Sequence, residues 1–146
     1  MKRSGWKWKE VKLPDDLQAK LASDFERDFL EAAQAADPSN VDILISLADI
    51  YAKAGLHEEG LKIDQRLVEI QPKEPKFHYN LACAHSLLGH IDPALQALTR
   101  ALQLGYTKVE HLRDDPDLEN LKKDRRYEEI LRQFAPGSTP RKKKIG

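Results

Sequence analysis

The 146-residue chain has a single cysteine, Cys83, and a single methionine. One thiol excludes an intramolecular disulfide and a thiolate-rich metal site. No apolar run approaches the roughly 18 residues that a membrane helix needs. The basic start MKRSGWKWKEVKLPDD has no apolar stretch behind it to serve as an export signal, so the expected compartment is the cytoplasm. Glycine-rich phosphate loops are missing: Gly5, Gly55 and Gly89 stand alone. None of His57, His78, His85, His90 and His111 forms an HExxH motif or another i, i+4 histidine pair. Net charge is zero as well, with 24 basic and 24 acidic residues. These absences point away from an enzyme and from any metal or cofactor.

What is present is unevenly distributed. Residues 1–14 carry a net +4 and residues 137–146, through Arg141 and Lys142 to Lys144, another +4, which leaves the body strongly acidic. The reading is a basic arm at 1–14, one domain at 15–136, and a flexible basic tail at 137–146.

Sliding the chain against itself gives one strong offset, 34 residues. Leu47-Ala48 falls on Leu81-Ala82, Gly55 on Gly89, Leu61 on Leu95, Val68 on Leu102 and Ile70 on Leu104. Tyr51 falls on His85, which marks His85 as a packed structural residue. A period of this length with helical spacing inside each unit predicts an all-α solenoid of helix-turn-helix pairs. One further shift upstream brings Pro38 under Pro72 and places Leu30 and Ala33 in the second-helix slots of Asp64 and Leu67.

The helices follow from caps and breakers. Pro14 and Asp15-Asp16 open a helix over 15–36, whose apolar line is Leu17, Leu21, Phe25, Phe29, Ala32 and Ala36. Phe25 and Phe29 are expected to pack on the next helix, 41–54, which Ser39-Asn40 caps and Gly55 ends. Helices are predicted from about 58 to 70, from 75 to 88, and from an Asp92-Pro93 start to about 105. Short helical pieces come next, around Leu112 and Leu118. A last helix spans 124–134, with Tyr127 and Ile130 against the 91–104 segment. Gly60 and its counterpart Ala94 are both small, as close contact between paired helices requires.

The set Leu47, Ala48, Tyr51, Gly55, Gly60 and Pro72, echoed as Leu81, Ala82, His85, Gly89 and Ala94, resembles tetratricopeptide repeats. Two full units cover about 41–74 and 75–108, while residues 7–40 match only in their second half. The stretch Asp115-Pro116-Asp117-Leu118, with Leu121, Arg126-Tyr127 and Ile130-Leu131, is similar to the closing segment often attached to such arrays. The resemblance implies a protein-interaction scaffold without chemistry of its own. It also implies that the first helix of each unit lines a concave face. The candidates are then Asp42, Ile45, Ser46, Asp49, Lys53, Lys76, Tyr79, Asn80, Cys83 and Leu87. Members that grip a peptide carboxylate use a lysine and an asparagine where this chain has Ile45 and Asp49, so that grip is not expected. Ile45, Tyr79, Leu87 and Asp49 suit an apolar peptide or helix bearing a basic residue. Cys83 has no histidine placed as a base and reads as an inert thiol.

Trp6 and Trp8 alternate with lysines in the arm. Three uses compete for them: packing on the chain's own solenoid, insertion into a second or partner chain, and stacking on nucleic acid. The first expects order from about Gly5 onward, with Trp8, Val11 and Leu13 against the array. The functional expectation is a cytoplasmic, non-catalytic adaptor that binds a segment of another protein. The alternatives are a nucleic-acid-associated protein using its basic ends and a structural subunit of a homo-oligomer.

Overall fold

The computed structural model describes residues 12–134, and in them the 34-residue period becomes stacked helical hairpins. The elements in order are α1 (Asp15–Ala36), α2 (Val41–Lys53), α3 (His57–Ile70), α4 (Pro75–Leu87), α5 (Ile91–Gln103) and α6 (Val109–Asp114). A 3₁₀ turn (Pro116–Leu118), α7 (Glu119–Lys122) and α8 (Arg125–Phe134) follow. Among the described residues there is no strand, and no helix is long and apolar enough to cross a membrane. The expectations for Trp6, Trp8 and the 137–146 tail lie outside the described residues.

Each hairpin turns on a glycine. Gly55 and Gly89 adopt φ of 72° and 77°, a left-handed conformation in which a side chain would be strained. That twist lets Leu56 N–H reach the Tyr51 carbonyl and His90 N–H reach that of His85, both at 2.9 Å, closing the two helix ends alike. Asn40 caps α2 by accepting the Ile43 amide at 3.2 Å. Helix α5 departs from expectation. It begins at Ile91 without a side-chain cap, and Asp92 instead pairs with Arg126 of α8 at 2.8 Å.

Two apolar clusters hold the stack. Leu44, Leu47, Tyr51, Ile63, Leu67 and Phe77 join α2, α3 and α4. Tyr79, Ala82, Leu95, Leu98, Ala101 and Leu102 join α4 and α5 to Leu112, Leu118, Leu121, Tyr127 and Leu131 of the closing segment. Tyr127 therefore packs as expected, with Ile130 against the same cluster, and its hydroxyl donates to the Leu112 carbonyl at 2.7 Å. Gly60 is buried beside Tyr51, with room for a Cβ at 3.7 Å from the Tyr51 Cβ.

The orientation of α1 corrects the sequence reading. Phe25 and Phe29 do not pack on α2; they are 73% and 64% exposed. Leu30 meets the α2 cluster instead, and the Tyr51 hydroxyl donates to Glu31 at 2.7 Å. Burial and that carboxylate push the Tyr51 phenol up to about 12. Residues 30 and 31 point away from the side that carries the 17–21–25–29 row. Burying the row against α2 would have turned Leu30 and Glu31 away from it.

Candidate functional site: an acid-floored groove

The inner surfaces of α2 and α4 converge with α3 behind them to form an open groove of about 810 Å³. Tetratricopeptide-like stacking explains the arrangement: first helices face the hollow, and the paired second helix forms its back wall. The groove is lined by Ile45, Ser46, Asp49, Lys76, Tyr79, Asn80, Cys83 and Leu87, eight of the ten residues expected. Asp42 and Lys53 do not line it. Both are exposed on the same face of α2 as Ser46 and Asp49 but lie at its two ends, and Lys53 is engaged with Asp49 at 2.8 Å.

Other groove residues come from elements that sequence reasoning left out. His57, Gly60 and Asp64 belong to α3, and His111, Asp115 and Asp117 to the closing segment, which folds over one end. Acidic groups dominate. Asp49, Asp64, Glu74, Asp115 and Asp117 line the groove against Lys76, with His57 and His111 the remaining titratable bases. Asp64 is 8% exposed, and its Oδ1 is buried without a hydrogen-bond partner. Burial alone pushes its carboxyl up to about 7.

At the closed end, Asp115 gathers donors. Its Oδ2 accepts from the Tyr79 hydroxyl and lies 3.9 Å from Cys83 Sγ and 3.4 Å from His111 Nε2. Its Oδ1 accepts the Asp117 amide at 2.9 Å. Tyr79 stacks on Tyr106, with ring centroids 4.4 Å apart. Desolvation, followed by the Asp115 charge, raises the Asp117 carboxyl as well. Cys83, Asp115 and Asp117 bring one donor atom each within 4.8 Å of one another, the set with which a cation could be held among the described residues. Both Asp115 oxygens are already taken by protein donors, so this carboxylate serves as the bolt between α4 and the closing segment.

The Cys83 thiol is buried and pushed well up by desolvation and then by Asp115, which keeps it neutral. Its neighbours are the Tyr79 phenol and the Asp115 carboxylate, whose Oδ2 also lies 3.4 Å from His111 Nε2. His85 is half-buried, its Nδ1 3.2 Å from that of His90, and desolvation followed by that neighbour lowers its pKa.

No protein-family model matches the chain. It is 34% identical over 87 residues to a chloroplastic protein of Arabidopsis thaliana. That match takes in 58% of this chain and 26% of the plant protein, so the chain spans about a quarter of its relative's length. Two solved crystal structures of MamA share the fold. One has a TM-score of 0.62 at 20% identity, covering 88% of this chain and 78% of that one; the other has 0.57 at 21%, covering 85% and 70%. The fold is thus a tetratricopeptide-like helical solenoid of two full hairpins with a helix at either end.

Proposed function

We propose that the chain is a non-catalytic adaptor whose groove takes a segment of a partner protein, extended or helical, with a basic side chain directed at the floor. One observation carries this reading: an open groove floored by Asp64, a buried carboxylate whose Oδ1 has no partner, under walls that include the 43%-exposed Ile45. A buried carboxyl without a partner is costly, and a lysine or arginine from outside would satisfy it with a charge-assisted hydrogen bond. Apolar walls around an acidic floor are the surroundings in which a short peptide segment binds.

The neutral thiol of Cys83 and the fully engaged Asp115 support a scaffold rather than a reaction centre. The nucleic-acid alternative is less well supported, because residues 12–134 carry a net −7 and would repel phosphate. We place the adaptor in the cytoplasm; the plant relative, described as chloroplastic, offers the chloroplast as the alternative compartment.

Photo-crosslinking in the cell tests the proposal. A crosslinking residue at position 45, in the groove, should capture a discrete protein that one at position 96, on α5, does not. Equal capture from both positions, or none from position 45, would overturn it.

A further inference from the structure

Helix α1 carries a row that nothing in the described residues covers. Leu17, Leu21, Phe25 and Phe29 are 40%, 50%, 73% and 64% exposed, and Leu13 just before the helix is 39% exposed. Spacing by four puts these side chains along one ridge of the helix, away from the Leu30 and Glu31 side that meets α2. The repeat register explains why the ridge is bare. Leu30 and Ala33 align with Asp64 and Leu67 of α3, so α1 occupies the place of a second helix. In each full hairpin a first helix packs on such a helix, α2 on α3 and α4 on α5. Helix α1 has no such companion among the described elements. A contiguous apolar surface of this kind marks an interaction site.

Charge selects the occupant. Helix α1 bears Asp15, Asp16, Asp24, Glu26, Asp28 and Glu31 against Lys20 and Arg27, a net −4. A second copy of α1 would bring the same net charge alongside and be repelled. Residues 1–11 carry Lys2, Arg3, Lys7 and Lys9 against Glu10, together with the apolar Trp6, Trp8 and Val11. They are complementary in both charge and hydrophobicity, and they join the chain at Lys12, beside the Leu13 end of the row.

We propose that the bare row of α1 is the seat of the chain's own residues 1–11, turned back from Lys12 so that Trp6 and Trp8 cover Leu17, Leu21 and Phe25. The reach fits. Leu13 to Phe25 is ~18 Å along a helix rising 1.5 Å per residue, and the six residues from Trp6 to Lys12 extend ~20 Å at most. Tethering supplies an effective concentration on the order of millimolar, which a free partner rarely matches. The segment thereby takes the role that a first helix plays in each full hairpin, and it does so at a face separate from the groove.

Tryptophan fluorescence of the full chain tests this, because Trp6 and Trp8 are the only tryptophans. Emission should lie blue of the urea-unfolded chain, resist acrylamide, and stay the same on dilution. Phe25→Glu with Phe29→Glu should shift it red and open it to acrylamide while circular dichroism is unchanged. Lys7→Glu with Lys9→Glu, which leaves α1 untouched, should do likewise. Ile45→Arg in the groove should have no effect. Wild-type emission matching the unfolded chain would overturn the proposal. So would a blue shift that appears only at high concentration, which would mean a second copy, or one abolished by Ile45→Arg, which would place the segment in the groove.

Discussion

The Tyr79 hydroxyl donates to the carboxylate of Asp115, 36 residues later in the chain, and so bolts the closing segment onto the first helix of the second hairpin. Both groups are buried. Tyr79→Phe keeps the ring stacked on Tyr106 but deprives a buried carboxylate of its donor, at a cost of about 1–3 kcal/mol. Asp115→Ala should cost at least as much, and the double variant less than the sum of the two, because both remove one interaction. Urea unfolding midpoints check this. An unchanged midpoint for Tyr79→Phe would contradict it.

Asp64 makes stability depend on pH in the direction opposite to a salt-bridged aspartate. Its carboxyl lies near 7 when folded against 3.8 otherwise, so between these values the folded state holds a proton that the unfolded state has lost. Stability therefore falls as pH rises through that window and is level above it. Asn mimics the protonated acid, so the stability gain of Asp64→Asn over wild type should be larger at about pH 8 than at about pH 5, by roughly 2–3 kcal/mol. Denaturant titrations at the two pH values measure it. An equal gain at both would contradict the account.

Gly60 closes the first turn of α3, and glycine inside a helix is up to roughly 1 kcal/mol worse than alanine. A Cβ there meets the Tyr51 Cβ at 3.7 Å, an ordinary contact, and its counterpart in the second hairpin is Ala94. Gly60→Ala should raise stability by up to about 1 kcal/mol, whereas Gly60→Leu should overpack the hairpin and lower it by about 1–3 kcal/mol. A thermal melt of each variant decides this. A lower melting temperature for Gly60→Ala would mean the helices need to approach more closely than this geometry allows.

The closing segment belongs to the same cooperative unit as the second hairpin, since Leu118, Leu121 and Leu131 are fully buried with Leu98 and Ala101 of α5. Leu121→Ala should cost about 2–5 kcal/mol, like Leu98→Ala. Truncation after residue 110 should abolish cooperative unfolding altogether. A truncated chain that melted as sharply and at the same temperature as the whole would show the segment to be dispensable.

The repeat spacing made the hairpins legible, because a glycine forced to positive φ recurs at a fixed interval and helical periodicity fills the stretch between. Periodicity failed at α1 for a definite reason. It shows that Leu17, Leu21, Phe25 and Phe29 share a face, but not which neighbour covers that face, and the few groups that do meet α2 include the polar Glu31. The groove was half legible. First helices supplied Ile45, Tyr79 and Asn80, but Asp64, the one aspartate of α3, was passed over although the 34-residue register sets it in a slot held by Leu30 and by the buried Leu98. His111, Asp115 and Asp117 reach the groove through a fold-over that spacing does not encode. Asp92 misled because an Asp-Pro pair reads as a helix cap, while here its carboxylate has a partner in Arg126.

The central claim is that the groove recognises a partner segment through a basic residue, and a random-peptide display selection on the full chain tests it most directly. Wild type should enrich peptides with a lysine or arginine at one fixed position among apolar neighbours. Those peptides should bind Asp64→Asn roughly tenfold more weakly, a loss of ~1.4 kcal/mol, and should not bind Ile45→Arg. Enriched peptides without a basic residue, or binding that survives Ile45→Arg, would contradict the account.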